Sequence, residues 1–282
     1  MKIWIVGKGG LLGSTLTTLC KSREISVVAT GSAEVDITDH QGITNFVLRE
    51  KPTHLVNCAA YTAVDLAERE KERAFAINAI GPENLAKVAR NHSLRLIHLS
   101  TNYIFDGKSR TPYSEEDVAH PLSIYGMSKW EGEKKVVATL PNACVIRTSW
   151  LFGNGGKNFV SSLLHTLKTE KVVRAAADQW GRVTSAQDLA EAVLCLLSSE
   201  GVFHFANRGS LSRYEIACAI KESANRKGVV IKTEKIVPAA ASEFTTPAPR
   251  PEMAVLSTDK FEKKMPIRSW DAAFEEYLNA LT

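Results

Sequence analysis

Apolar positions along the chain fall into two alternating textures. Short β-branched runs at 2–6, 27–30, 54–57, 95–100 and 143–147 are apolar at nearly every position, the pattern of strands buried on both faces. Between them, at 12–21, 40–51, 70–92 and 125–138, apolar residues recur at helical spacing. Such alternation predicts a parallel sheet covered on both faces, in the order of a doubly wound nucleotide-binding fold. After about residue 151 the texture changes. Helical patterns at 159–169, 187–198 and 214–226 alternate with short strands such as 172–175 and 202–206. A loop with Pro238, Pro247, Pro249 and Pro251 then precedes a last helix at 270–281. The expected class is α/β: a Rossmann-like doubly wound parallel sheet over residues 1–150, and a smaller C-terminal lobe over 151–282 that can interleave with it.

Composition narrows the class. A chain of 282 residues suits one large domain or a domain with a smaller lobe, and 44% apolar with 23% charged residues excludes disordered and fibrous classes. The formal charge is +4, and its charges are interleaved, as in Glu68-Arg69-Glu70-Lys71-Glu72-Arg73. Mixed runs read as solvated helix faces, whereas nucleic-acid binding would want a one-signed stripe. Five cysteines, odd in number and without a CxxC pair, argue against a disulfide framework or zinc knuckle and suit a reducing compartment. No apolar run approaches the roughly 18 residues of a membrane helix, so a cytoplasmic protein with no membrane or nucleic-acid partner is expected.

Lys2-Ile3-Trp4-Ile5-Val6 leads straight into Gly7-Lys8-Gly9-Gly10-Leu11-Leu12-Gly13 and a helical pattern. In a strand–turn–helix, GxxGxxG has a mechanical reading. The turn needs a residue without Cβ, a pyrophosphate needs close backbone approach, and the last glycine lets helix and strand touch. Free N–H groups and the helix dipole then hold phosphate. The second strand ends Val28-Ala29-Thr30-Gly31-Ser32, without the acid that grips a 2′-hydroxyl in NAD sites. Thr30 and Ser32 are expected to meet a 2′-phosphate, which favours NADPH over NADH. Asp36 lies where an acid can accept from the adenine amine, and Asp39 is expected to cap the next helix.

The decisive constellation is Ser100-Thr101 at a strand end followed by Tyr125-Gly126-Met127-Ser128-Lys129. Tyr and Lys at i and i+4 share one helix face. A phenol of pKa about 10 is poorly matched to proton transfer at neutral pH. An ammonium about 4 Å away, at an effective dielectric of about 20, supplies roughly 4 kcal/mol, or about three pK units. The pair therefore predicts a Tyr125 pKa lowered by Lys129.

With these residues on the page, the sequence resembles the extended short-chain dehydrogenase/reductases and, within them, the dTDP-4-dehydrorhamnose reductase family. The resemblance runs over nearly the whole chain. It includes Val35-Asp36-Ile37-Thr38-Asp39, Asn57-Cys58-Ala59-Ala60-Tyr61-Thr62-Ala63-Val64-Asp65 and Ser100-Thr101-Asn102-Tyr103-Ile104-Phe105-Asp106-Gly107. It continues through Arg147-Thr148-Ser149-Trp150, Asn158-Phe159, Asp178-Gln179 and Thr246-Pro247-Ala248-Pro249-Arg250-Pro251.

The resemblance implies NAD(P)H-dependent reduction of the C4 keto group of a nucleotide-activated deoxy sugar, dTDP-4-dehydrorhamnose to dTDP-rhamnose. It implies a catalytic triad of Thr101, Tyr125 and Lys129. Tyr125 would protonate the C4 oxygen, Lys129 would hold the nicotinamide ribose, and Thr101 would hydrogen-bond the carbonyl. The implied cofactor contacts are Gly7, Gly10, Leu11, Leu12, Gly13, Thr30, Asp36, Ile37, Ala59, Ala60 and Tyr61, with Tyr125 and Lys129. Thr62, Val64, Thr101, Asn102, Trp150 and Arg250 would meet substrate, and the lobe over 151–282 would bind the sugar nucleotide.

Three positions depart from the family pattern: Asn102 stands where aspartate is usual, Arg213 where tryptophan is frequent, and Thr15 where some members place a metal-holding glutamate. No metal is therefore expected, and a homodimer, if formed, would not be metal-bridged. A 4,6-dehydratase would need an acid pair beside Thr101, where Asn102 and Tyr103 stand instead. A nucleotide-sugar epimerase fits the same spacing. A non-catalytic NADP-binding regulatory subunit, resembling the methionine adenosyltransferase β subunit, is the alternative from another class.

Overall fold

The computed structural model describes residues 1–156 and 158–281. The chain opens with β1 (Lys2–Val6), α1 (Leu11–Ser22), β2 (Ser26–Thr30), α2 (His40–Glu50) and β3 (His54–Asn57). Short helices α3 (Val64–Ala67) and α4 (Lys71–Phe75) run through a π-helical turn, Ala76–Ile80, into α5 (Gly81–Asn91). There follow β4 (Arg95–Thr101), α6 (Ile124–Thr139) and β5 (Cys144–Thr148). The rest comprises β6 (Leu151–Phe152), α7 (Phe159–Thr169), β7 (Val172–Ala176), β8 (Trp180–Arg182), β9 (Thr184–Ser185) and α8 (Ala186–Cys195). The last elements are β10 (Gly201–His204), β11 (Ser210–Ser212), α9 (Arg213–Arg226), β12 (Lys235–Ala239), α10 (Asp259–Glu262) and α11 (Trp270–Asn279).

Six parallel strands form the main sheet in the order β10-β5-β4-β3-β1-β2. Helices cover both faces, and β1 shows why its run is apolar throughout. Ile3 and Ile5 point into one core with Leu16 of α1 and Val193 of α8. Trp4, on the alternate face, joins Ile43 and Phe46 of α2 and Leu85 of α5. The strand order reverses between β2 and β3 on either side of β1, and in open α/β sheets that switch point opens a crevice at the carboxyl ends. The glycine loop, Asn57, Thr101 and Thr148 all sit at those ends.

Two features differ from the sequence reading. The strand expected at 202–206 is β10, and it lies on the edge of the main sheet against β5, not in the lobe. Body and lobe are interleaved, because β10 and α8 return to the sheet after the chain has entered the lobe. The helical stretch expected over 70–92 is interrupted by the π turn. There α6 makes direct backbone contact: a Cβ on Gly132 would lie 1.9 Å from the Asn78 carbonyl oxygen. The lobe has its own core, in which Val160, Leu164, Ile216, Ile220, Trp270 and Phe274 meet. No helix among the described residues is long and apolar enough to cross a membrane.

Candidate active site

Backbone geometry builds the floor of the crevice. Gly7 has φ +92°, and a Cβ there would fall 2.7 Å from the Ala59 nitrogen. Gly13 approaches more closely still, since its Cβ would be 2.1 Å from the Gly7 carbonyl oxygen. Both positions require glycine on steric grounds. Gly10 precedes α1, which has neither a side-chain cap nor an acid in its first turn. Its first N–H groups are thus left for a ligand anion, and the loop fits a dinucleotide pyrophosphate. Leu12 beneath the loop is buried in the core, with Leu11 half-buried.

Thr30 corrects the sequence reading. Its hydroxyl accepts a 3.0 Å hydrogen bond from the Trp4 indole, and the residue is 3% exposed, so the side chain turns into the body and away from any ribose. Its carbonyl does the work at the site, accepting from the amides of Gly7 (2.8 Å) and Lys8 (3.0 Å). Beside it, Lys8 pairs with Glu34, which also accepts from the Gly31 amide at 2.8 Å. Asp36 is exposed and bonded to the Thr38 amide, Ile37 is core, and Asp39 caps α2 as expected.

Ala59 and Ala60 follow β3, half-buried, and the Ala59 amide donates to the Asn57 side chain at 3.1 Å. Tyr61 is held by a residue the sequence reading missed. Asn78 accepts from the Tyr61 amide (2.8 Å), donates to its carbonyl (3.0 Å) and donates to the Ser128 hydroxyl (3.0 Å). It thus ties the loop after β3 to α6. An asparagine inside a helical stretch, where its propensity is poor, was the available signal.

Ser123 caps α6 and starts the helix beside Thr101 at the end of β4. Burial pushes the Tyr125 phenol up to about 12, against a hydrogen bond from Thr101 that lowers it. Lys129 is 2% exposed, its ammonium donates to the Leu99 carbonyl at 2.6 Å, and burial pulls it down to about 8. The expected lowering of Tyr125 by Lys129 is therefore corrected. The ammonium is engaged by the strand backbone, and the phenol is set by desolvation, the Thr101 hydrogen bond and Tyr103. The phenol stays protonated at neutral pH, the form needed to donate a proton.

Tyr103 leads outward from the triad. Its ring meets that of Tyr125 edge-on, centroids 5.6 Å apart. Beyond it lies a cavity of about 310 Å³ lined by Tyr103, Phe159, Leu163, Gln179, Arg213 and Arg250, among others. Trp150 stands at the seam, with φ +41° and its ring 5.6 Å from Phe159. Gly181 leaves the room for that ring, since a Cβ there would lie 2.8 Å from it. Asn102 is buried, donating to the Ala254 carbonyl at 2.9 Å, and lines a small recess with Trp150. Arg250 forks onto Asp65 at 2.8 and 2.7 Å. Thr62 and Val64 lie outside the cavity lining: Thr62 is exposed in the loop after Tyr61, and Val64 opens α3. Thr15 donates to the Leu11 carbonyl at 2.8 Å.

A glycine cradle at a switch point, with Thr, Tyr and Lys beside it, defines an NAD(P)-binding oxidoreductase of the extended short-chain dehydrogenase/reductase class. A model of the family described as RmlD substrate binding domain matches residues 1–282. A dTDP-4-dehydrorhamnose reductase from Mycolicibacterium smegmatis is 37% identical, over 99% of this chain and 86% of its own. The crystal structure of a dTDP-4-dehydrorhamnose reductase from Clostridium acetobutylicum matches with TM-score 0.94 and 35% identity, over 100% of this chain and 99% of its own. One from Bacillus anthracis, in complex with NADP, matches with TM-score 0.93 and 31% identity, over 99% and 100%. The chain belongs to the dTDP-4-dehydrorhamnose reductase family.

Proposed function

We propose that the protein reduces the C4 keto group of a dTDP-4-dehydro-6-deoxy sugar, dTDP-4-dehydrorhamnose to dTDP-rhamnose, using NADPH. The observation that carries this is the protonated, half-buried Tyr125 beside Thr101, with Tyr103 leading from it into a cavity rich in guanidinium groups. A bound nicotinamide supplies the hydride. Gly7, Gly10 and Gly13 with the start of α1 bind the pyrophosphate, and Ala59 and Ala60 leave room for the cofactor. Lys129, whose ammonium donates to the Leu99 carbonyl, would hold the nicotinamide ribose. Thr101 donates to the substrate carbonyl, and Tyr125 gives its proton to the C4 oxygen as charge develops there. Support for NADPH comes from the Lys8 ammonium near the end of β2 and from the B. anthracis relative bound to NADP. The reading includes a cytoplasmic setting, in which the five unpaired cysteines stay reduced.

The test is to incubate the protein with NADPH and dTDP-4-dehydro-6-deoxy-L-mannose, follow the loss of nicotinamide absorbance and identify the sugar. Stoichiometric NADPH consumption with a 4-hydroxy product is the expected result. Sugar interconversion without net consumption would make the protein an epimerase. Tight NADPH binding without turnover of any 4-keto sugar would leave the regulatory-subunit reading.

A further inference from the structure

We infer that Arg213 is the residue that grips the diphosphate of the sugar nucleotide, held for that task against two neighbouring aromatic rings. The inference rests on the reading above and adds to it the group that recognises the anion.

Three arginines line the cavity beyond Tyr103: Arg174, Arg213 and Arg250. Two are already matched. Arg174 pairs with Glu243, and Arg250 forks onto Asp65. Arg213 has no carboxylate partner among the described residues, and its Nε is buried without a hydrogen-bond partner. The residue is half-buried, so its unmatched donors face the cavity at a desolvation cost that an arriving anion would offset. What holds it meanwhile is a side-chain hydrogen bond with Tyr103 and π density: the guanidinium carbon lies 5.1 Å from the Trp150 ring centroid and 4.8 Å from that of Phe159. The backbone is fixed as well. Arg213 opens α9 behind a reciprocal Ser212–Glu215 capping box, and its amide donates to the Gln179 carbonyl at 3.1 Å. A planar fork already packed against two rings loses little freedom when it meets phosphate oxygens.

The position suits the chemistry. Tyr103 touches Tyr125 on one side and adjoins Arg213 and Arg250 on the other. A sugar reduced at C4 over Tyr125 carries its diphosphate at C1, across the ring and toward these guanidiniums. Phe159, Leu163 and Phe244 then leave an apolar remainder for the nucleoside.

The experiment titrates thymidine 5′-diphosphate, thymidine and NADPH into the full-length wild type, Arg213→Gln and Arg213→Lys, and measures kcat and KM for the keto sugar. Loss of hydrogen bonds to a charged group predicts that Arg213→Gln binds thymidine diphosphate about 10- to 100-fold more weakly, with Arg213→Lys between. Thymidine and NADPH affinities should hold, and the kinetic loss should fall on KM rather than kcat. Equal diphosphate affinity in wild type and Arg213→Gln would overturn the inference. An equal loss of thymidine and thymidine diphosphate would also overturn it, as the mark of a purely structural residue. A wild type that turns over the sugar yet shows either result loses this inference alone, whereas a wild type that binds no nucleoside diphosphate and turns over no keto sugar loses the proposed function.

Discussion

Glu133 on α6 and Arg147 on β5 form a buried ion pair, with the Arg147 Nε 3.1 and 3.2 Å from the two carboxylate oxygens. Arg147 also donates to the Glu115 carbonyl at 3.2 Å. Glu133 lies one turn beyond Lys129 and is the main group holding that ammonium up against burial. The pair therefore fixes the helix that carries the proposed catalytic pair Tyr125 and Lys129, and Glu133 favours the charged form of the lysine. Glu133→Gln leaves Arg147 uncompensated and should cost about 3–5 kcal/mol in denaturant unfolding. In the folded variant, the alkaline limb attributed to Lys129 should move to lower pH. A variant with unchanged stability and an unchanged pH profile would refute both roles.

Tyr125→Phe keeps the ring packing and removes the transferable proton. kcat should fall about 10²–10⁴-fold with NADPH affinity retained. Because burial places the phenol near 12, its ionisation does not limit the wild-type rate between neutrality and about pH 10. The alkaline decline should instead begin near 8, where Lys129 loses its charge. Steady-state kinetics of both proteins across pH check this; a Tyr125→Phe enzyme within tenfold of wild type would take Tyr125 out of the mechanism.

Lys129 also ties function to stability. Its folded pKa of about 8 lies below the ordinary lysine value of 10.5, so between those values the unfolded chain binds more protons and stability rises with pH. The contribution is complete above about 10.5 and is lost as pH falls through about 8. The full span is about 3 kcal/mol. Lys129→Met should flatten this rise in thermal melts taken between pH 7 and 10, while weakening NADPH binding. An unchanged slope would mean that the lysine keeps its proton equally in the folded and unfolded chains, so that burial does not lower its pKa.

Thr30→Asp, which the sequence alone would suggest for switching cofactor preference, should instead destabilise the fold, because the carboxylate would be buried against the Trp4 indole. Selectivity is better tested at Lys8, whose side chain lies with Glu34 around Gly31. Lys8→Ala should weaken NADPH more than NADH, by about threefold to tenfold for an exposed charge. Fluorescence titration with both nucleotides decides; an equal loss of the two would place the 2′-phosphate elsewhere.

The sheet, the glycine loop and the Thr101–Tyr125–Lys129 set were legible because each depends on local pattern. Periodicity marks a strand or helix, and glycine marks a turn without Cβ. What escaped depends on partners remote in the chain. Nothing in Val28-Ala29-Thr30 says which face the threonine presents; Trp4, on the neighbouring strand, decides. Arg250 was read from its loop, yet its carboxylate partner Asp65 lies 185 positions earlier. The lysine–tyrosine electrostatics failed for a related reason: helical spacing gives separation but not burial, and burial set both pKa values. Asn78 was hidden because a π turn leaves no mark in hydrophobic periodicity.

The return of β10 to the main sheet bears on how the chain comes off the ribosome. When residue 150 has emerged, five of the six strands exist, but β5 still offers an open edge of backbone donors and acceptors. The α1 face that α8 covers through Leu189 and Val193 is bare as well. The nucleotide half is thus an unfinished object until about fifty more residues have been made. A fragment cut at residue 150 should associate edge to edge, whereas one extended through β10 would carry its own seal.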